Sequence, residues 1–334
     1  MHYPKKINHH TERRLLVVSE SEFTKRLINS LGSVLPPRDV DLDFSTLDWD
    51  SVKQQRSAAS LLRGDPETGL MSRHENALPT KHNADIHLCI CFFGILLGLN
   101  STIQSIEDNL FGVLKASNIR FTTYLHAFHP STLMYNSSSG DNTTTVNSDY
   151  TRLNPKMAIV ETQDAFDSVM DVEQYATKGD SFGHEMKSLR NQIREGISLE
   201  QVTRLWLHDT SKCTHVLYTR PDLLVVAPFD VTELYRVGHM SWFTGQYHEH
   251  GGLNSRFAFG DPEGMRIWGY RNRLAEPISR NQVFRAESFA KYVSQKTSIR
   301  HQHTKLCLLK YRVTGSHFAD VGMCNGSYIP ALQQ

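Results

Sequence analysis

The chain has 334 residues, with 36 Lys and Arg against 35 Asp and Glu, 39% hydrophobic and 21% charged. This is an ordinary globular composition with enough material for one large α/β core or two modest ones. A net charge of +1 argues against a nucleic-acid partner, since binding by phosphate neutralisation needs a basic excess or stripe.

The amino-terminal stretch "MHYPKKINHHTERRLL" is basic but lacks the apolar centre of a signal peptide. Residues 1–83 are polar, rich in Ser, Arg, Asp and Pro, and read as a partly disordered extension. From Asp85 the character changes, and 84–330 reads as one domain. "DIHLCICFFG" is a buried strand ending at Gly94; Leu88 to Leu99 falls short of the roughly 20 apolar residues of a transmembrane span. No membrane anchor is visible, and nothing names a compartment.

A helix follows, capped by Ser101 or Thr102, with Ile103, Ile106, Leu110, Val113 and Leu114 on one face. Strands are expected at 119–128 and 156–162, with a flexible loop at 136–149 between them. This β-loop-α-β order is how a parallel, nucleotide-binding sheet begins. "DAFDSVMDVEQY" reads as helical, and an amphipathic helix spans 184–208. The strand His215 to Thr219 is broken by Arg220-Pro221-Asp222, because proline cannot donate to a sheet ladder. Charged residues just past a strand's carboxyl end lie where open α/β sheets gather ligands. They either hold a ligand or pair with other charges there. A short helix at 230–236, a strand at 241–245, a helix started by Asp261-Pro262, another at 281–295 and a closing strand at 305–313 complete the domain.

Five cysteines cannot all pair within one chain. Cys89 and Cys91 share a strand face as small core residues, and Cys213, Cys307 and Cys324 supply no second close pair for zinc. The expectation is reduced, structural cysteine. Sequons begin at Asn100, Asn136, Asn142 and Asn325, patterns short enough to arise by chance.

Taken in order, these segments resemble a group of GT-A glycosyltransferase-like proteins with a strand ending in Arg-Pro-Asp. The matching residues are Phe92 to Gly94, Ser101 to Asn109, Met186 to Trp206, Arg220 to Asp222, Asn254 to Gly260 and Glu287 to Phe289. The resemblance implies a GT-A-like, Rossmann-type nucleotide-sugar-binding sandwich, α/β, with a mostly parallel central sheet flanked by helices. It also implies transfer of a sugar from a nucleotide-sugar donor to a glycan or other hydroxyl acceptor.

Under that resemblance, Phe93, Gly94, Arg220 and Asp222 lie at the donor. Asp222 and a late histidine, His317, would hold Mn²⁺ or Mg²⁺ against the leaving diphosphate, although Arg-Pro-Asp offers one carboxylate where Asp-x-Asp offers two. Asn254 and Arg256 are expected at the active edge, where Ser255 replaces the usual acid. Glu287 is the expected base for the acceptor hydroxyl. The single carboxylate and Ser255 leave open a catalytically inactive, carbohydrate- or protein-binding module of the same fold. A dinucleotide-dependent dehydrogenase fares poorly, because no G-x-G-x-x-G follows the first strand.

Overall fold

The computed structural model describes residues 86–311, apart from 130–133, 137–140, 144–148, 177, 180–185, 211, 248, 281–282 and 298. The extension 1–83, His317 and the sequon at Asn325 therefore lie outside the described residues.

Strand β1 (His87–Ile95) is buried along nearly its whole length. Its side chains alternate between two cores: Leu88, Ile90 and Phe92 on one face, and Cys89, Cys91 and Phe93 on the other. A strand covered on both faces reads as a continuous apolar run. Each large side chain so buried contributes about 1.5–3 kcal/mol.

Helix α1 (Leu99–Ile106) continues through a π-type turn at Glu107–Gly112 into Val113–Ala116. It starts from Gly98, at φ 85°, rather than from a Ser101 or Thr102 cap. Thr102 sits inside the helix, and its hydroxyl donates to the carbonyl of Pro221 at 2.6 Å. After α1 come β2 (Arg120–His129), the small hairpin β3 (Met134–Asn136) and β4 (Asp141–Thr143), β5 (Met157–Thr162), α2 (Gln163–Asp167) and α3 (Lys187–His208). Next are β6 (His215–Thr219), β7 (Leu223–Val225), β8 (Ser241–Gly245) and β9 (Phe257–Gly260). Helices α4 (Pro262–Tyr270), α5 (Ala275–Ser279) and α6 (Ala286–Lys296), then β10 (Arg300–Thr304) and β11 (Leu308–Lys310), close the described chain.

Seven strands form one sheet in the order β10-β8-β9-β6-β1-β2-β5. Strand β9 runs antiparallel to both its neighbours, and every other pairing in the sheet is parallel. The fold is thus α/β with a mostly parallel sheet flanked by helices, as expected. Helix α1 and the antiparallel β7–β11 ribbon cover one face, through Ile103, Ile106, Leu223 and Leu308. Helices α3, α4 and α6 cover the other, through Ile193, Val202, Trp268 and Phe289.

Two expectations are corrected. The closing strand expected at 305–313 is confined, among the described residues, to β11, which pairs with β7, while the main sheet's outer strand is the polar β10, beside β8. The cysteines are not all reduced. Cys89 and Cys213 form a disulfide across 124 residues, and Cys307 is disulfide-bonded as well. Parallel pairing of β1 with β6 sets Leu88 opposite His215, which brings Cys213, two residues ahead of β6, within bonding reach of Cys89 on β1. Cys91 stays a free, buried thiol. Among the described residues no helix is long and apolar enough to cross a membrane.

Candidate active site

Strands β1 and β6 end side by side, and the charged residues gather just beyond. The ladder stops at Thr219, where Pro221 has no N–H to give. The chain turns out of the sheet, fastened by Thr102 at the Pro221 carbonyl and by the Tyr311 N–H at the Asp222 carbonyl, 3.0 Å. It then enters the β7–β11 ribbon. The break in the strand therefore changes sheets and delivers Arg220 and Asp222 to the carboxyl end.

There the Arg220 guanidinium grips Asp222 with two bonds, Nε to Oδ1 at 2.9 Å and Nη2 to Oδ2 at 2.6 Å. Its third arm, Nη1, donates to Glu195 Oε2 at 2.6 Å. The planar fork of arginine suits such bidentate pairing. Asp222 is only 4% exposed. Burial alone would push its carboxyl up, but the guanidinium overrides this and holds it below the ordinary aspartate range. Burial likewise disfavours the Arg220 cation, and Asp222 and Glu195 together reverse that effect.

Lys310, on β11 opposite Leu223, adds a second cation. Its ammonium makes no hydrogen bond or ion pair among the described residues. Burial, with help from Arg220 and Arg256, lowers its pKa to about 8, while Asp222 and Glu195 pull the other way. Gly98 sits close by: a Cβ there would lie 3.9 Å from Asp222 Cβ.

The loop before β9 forms the facing rim. Asn254 is fully buried. Its Nδ2 donates to the Tyr247 carbonyl at 2.9 Å and its Oδ1 accepts from the Arg256 N–H at 3.0 Å. Its carboxamide thus helps to hold the loop. Arg256 acts electrostatically on Asp222, Lys310 and Glu287. Gly252 lies against the first turn of α6, where a Cβ would collide with the backbone of Glu287 and Ser288; the Leu253 N–H donates to the Glu287 carbonyl at 3.0 Å. Burial raises the Glu287 carboxyl above the usual glutamate value; its own N–H opposes this, Glu195 adds to it, and His250 and Arg256 oppose it.

Arg271, 4% exposed, stacks 4.2 Å over the Trp268 ring and donates to the Trp268 and Ser255 carbonyls. Burial lowers its pKa to about 10, against pulls from Glu195, Tyr218 and Glu287, so it stays charged at neutral pH.

The structure places both remaining residues expected at the donor. Phe93 is fully buried, edge-on to Tyr218 at 6.5 Å, so its side chain belongs to the core. Gly94 does border Arg220, with φ 107°, but its N–H is spent on Ser198 Oγ at 2.7 Å. The described residues do not fit a divalent cation. Both Asp222 oxygens are taken by Arg220, and no group of three His, Cys, Asp or Glu is placed to hold an ion. His317 lies outside the described residues.

Glu195, Lys310 and Arg271 were missed in the sequence. The available signals were Gly196, a costly residue inside a helix that here packs against the Asn272 side chain, and the one lysine within the apolar run 306–311.

No family model matches the chain, and no curated protein sequence matches it. Among solved structures the chain is similar to a glycosyltransferase involved in the glycosylation of the major capsid of PBCV-1. The two share 9% identity and a TM-score of 0.32, over 66% of this chain and 82% of that one, a likeness too distant to assign residues or chemistry.

Proposed function

We propose that the domain is a glycosyltransferase, moving a sugar from a nucleotide-sugar donor to an acceptor hydroxyl. The observation that carries the reading is one cluster at the carboxyl end of parallel strands, where ligands of such sheets bind. Lys310, Arg256 and the Arg220–Asp222 pair act on one another there, and a half-buried carboxyl, Glu287, interacts with the same group. In the proposed reaction the acceptor oxygen bonds to the anomeric carbon while the bond from that carbon to the diphosphate breaks. The electron pair leaves with the diphosphate beside the cations, and the acceptor's proton passes to Glu287. A raised carboxyl is the better base near neutrality, because its pKa lies closer to the working pH.

A second reading, a binding module without chemistry, is favoured by two features. Asn254 helps to hold the loop, and Ser255 stands where related sequences carry an acid. Release of nucleoside diphosphate from UDP- and GDP-sugars separates the two readings. The wild type is expected to release it, and Glu287→Gln to lower the rate by about 10²–10⁴-fold with donor binding kept. Equal rates in both proteins would remove Glu287 from the mechanism, and no release from any donor would leave the binding module.

Glu287 also sets a pH dependence. Activity is expected to rise with pH through its elevated pKa as the base form appears. Stability runs the other way. With the folded value above the unfolded one, this group's contribution is complete below the unfolded pKa and is lost as pH rises through the folded value. Glu287→Gln should therefore melt no lower than wild type at neutral pH, and a lower melting temperature there would contradict the burial cost.

A further inference from the structure

We propose that this site takes its diphosphate without a divalent cation: Arg220, clamped between Asp222 and Glu195, occupies the place of a metal, and Lys310 grips the phosphates directly. The inference rests on the transferase reading above and adds to it a ligand-binding residue and a cofactor requirement.

The first ground is geometric. A carboxylate that serves a metal must face it, and both Asp222 oxygens instead face the Arg220 guanidinium, at 2.6 and 2.9 Å, whose positive charge repels a cation. Glu195, the other carboxylate in reach, accepts from the same guanidinium at 2.6 Å. An ion entering between them would have to displace a largely buried arginine from three charge-assisted bonds. It would do so beside Lys310, whose like charge opposes it.

The second ground is the balance of charge. Among the described residues, Lys310 and Arg220 act on Asp222 and Glu195, and Arg256 and Arg271 are tied to the same group through Asp222, Glu195 and Glu287. A partly desolvated cation is unfavourable unless an anion meets it. Lys310 is the member best placed to meet one, because its three donors have no partner among the described residues. Its register places it at the end of the β7–β11 ribbon, next to Asp222. A phosphate oxygen there would gain a charge-assisted bond and relieve the burial of the ammonium.

Calorimetry of the full chain with UDP, GDP and inorganic pyrophosphate, each in EDTA and each in Mn²⁺, tests the inference beside Lys310→Met and Lys310→Arg. Methionine of similar volume removes a desolvated charge, so the variant is expected to fold, as its melting curve will show. At least one nucleoside diphosphate is expected to bind in EDTA with an affinity that Mn²⁺ does not improve. Lys310→Met is expected to weaken that binding roughly tenfold to a hundredfold, the value of one charge-assisted hydrogen bond. Lys310→Arg should restore most of it. Binding seen only with Mn²⁺ would overturn the inference and leave the transferase reading standing. Binding in EDTA that is indifferent to Lys310→Met would remove Lys310 from the site. Absence of binding in both conditions would overturn the inference together with the reading it rests on.

Discussion

Arg220→Met is expected to destabilise the domain by about 3–5 kcal/mol, the usual consequence of removing one partner from a buried ion pair. The cause is what stays behind. Asp222 and Glu195 would lose the guanidinium that joins them and face each other as like charges in a largely dry site. In a domain of this size that corresponds to a fall of roughly 10 °C in melting temperature. The deficit should carry a pH signature. In the wild type the Asp222 carboxyl is depressed, so its contribution is present above the unfolded aspartate value and is lost as pH falls through the folded one. In the variant only the weaker pull of Lys310 and Arg256 is left to keep Asp222 charged, so the gap from wild type should be widest near neutrality and close toward acid. Thermal melts of both proteins from acid to neutral pH provide the check. A variant that melts with the wild type at pH 7 would mean that water reaches and solvates both carboxylates.

The second large effect concerns the Cys89–Cys213 bond. A cross-link spanning 124 residues restricts the unfolded chain by about 5 kcal/mol in the chain-entropy account. Cys213→Ala, or reduction, is therefore expected to lower the melting temperature by roughly 10–20 °C at the sensitivity of a domain this large. Alkylation in guanidinium without reductant checks the premise: of Cys89, Cys91, Cys213 and Cys307, only Cys91 should label. Labelling of Cys89 and Cys213 under those conditions would show that the bond is not formed.

Much of the sheet was readable in advance because its inner strands are buried on both faces and bounded by breakers. Strands β1, β2, β5, β6 and β8 fall within about two residues of their expected ranges. Strand β10 was not read, since "RHQHT" is polar and joins the sheet only through its pairing with β8. Nor was β9 read as a strand, because its antiparallel direction depends on partners that no local pattern names. The same division runs through the site. Arg220 and Asp222 stood out because Pro221 marks a strand end. Glu195 and Lys310 sit 25 residues before Arg220 and on a separate ribbon, so only topology brings them to it. The disulfide was illegible for a similar reason, since five cysteines say nothing about which of them a parallel pairing will join. Asn254 and Phe93 show the converse: residues that match a motif can match because they hold the scaffold.

The contact at Gly252 limits how this chain can diversify. The loop before β9 rests on α6 with glycine against the Glu287 and Ser288 backbone, the Leu253 N–H bonded to the Glu287 carbonyl, and Lys291 Nζ donating to the Gly251 carbonyl at 3.2 Å. Loop and carboxyl thus move as one body. An insertion between Tyr247 and Asn254, the kind of change by which surface loops commonly acquire new partners, would shift Glu287 as well. Descendants of this sequence have an easier path to new acceptors through exchange of side chains on a loop of constant length.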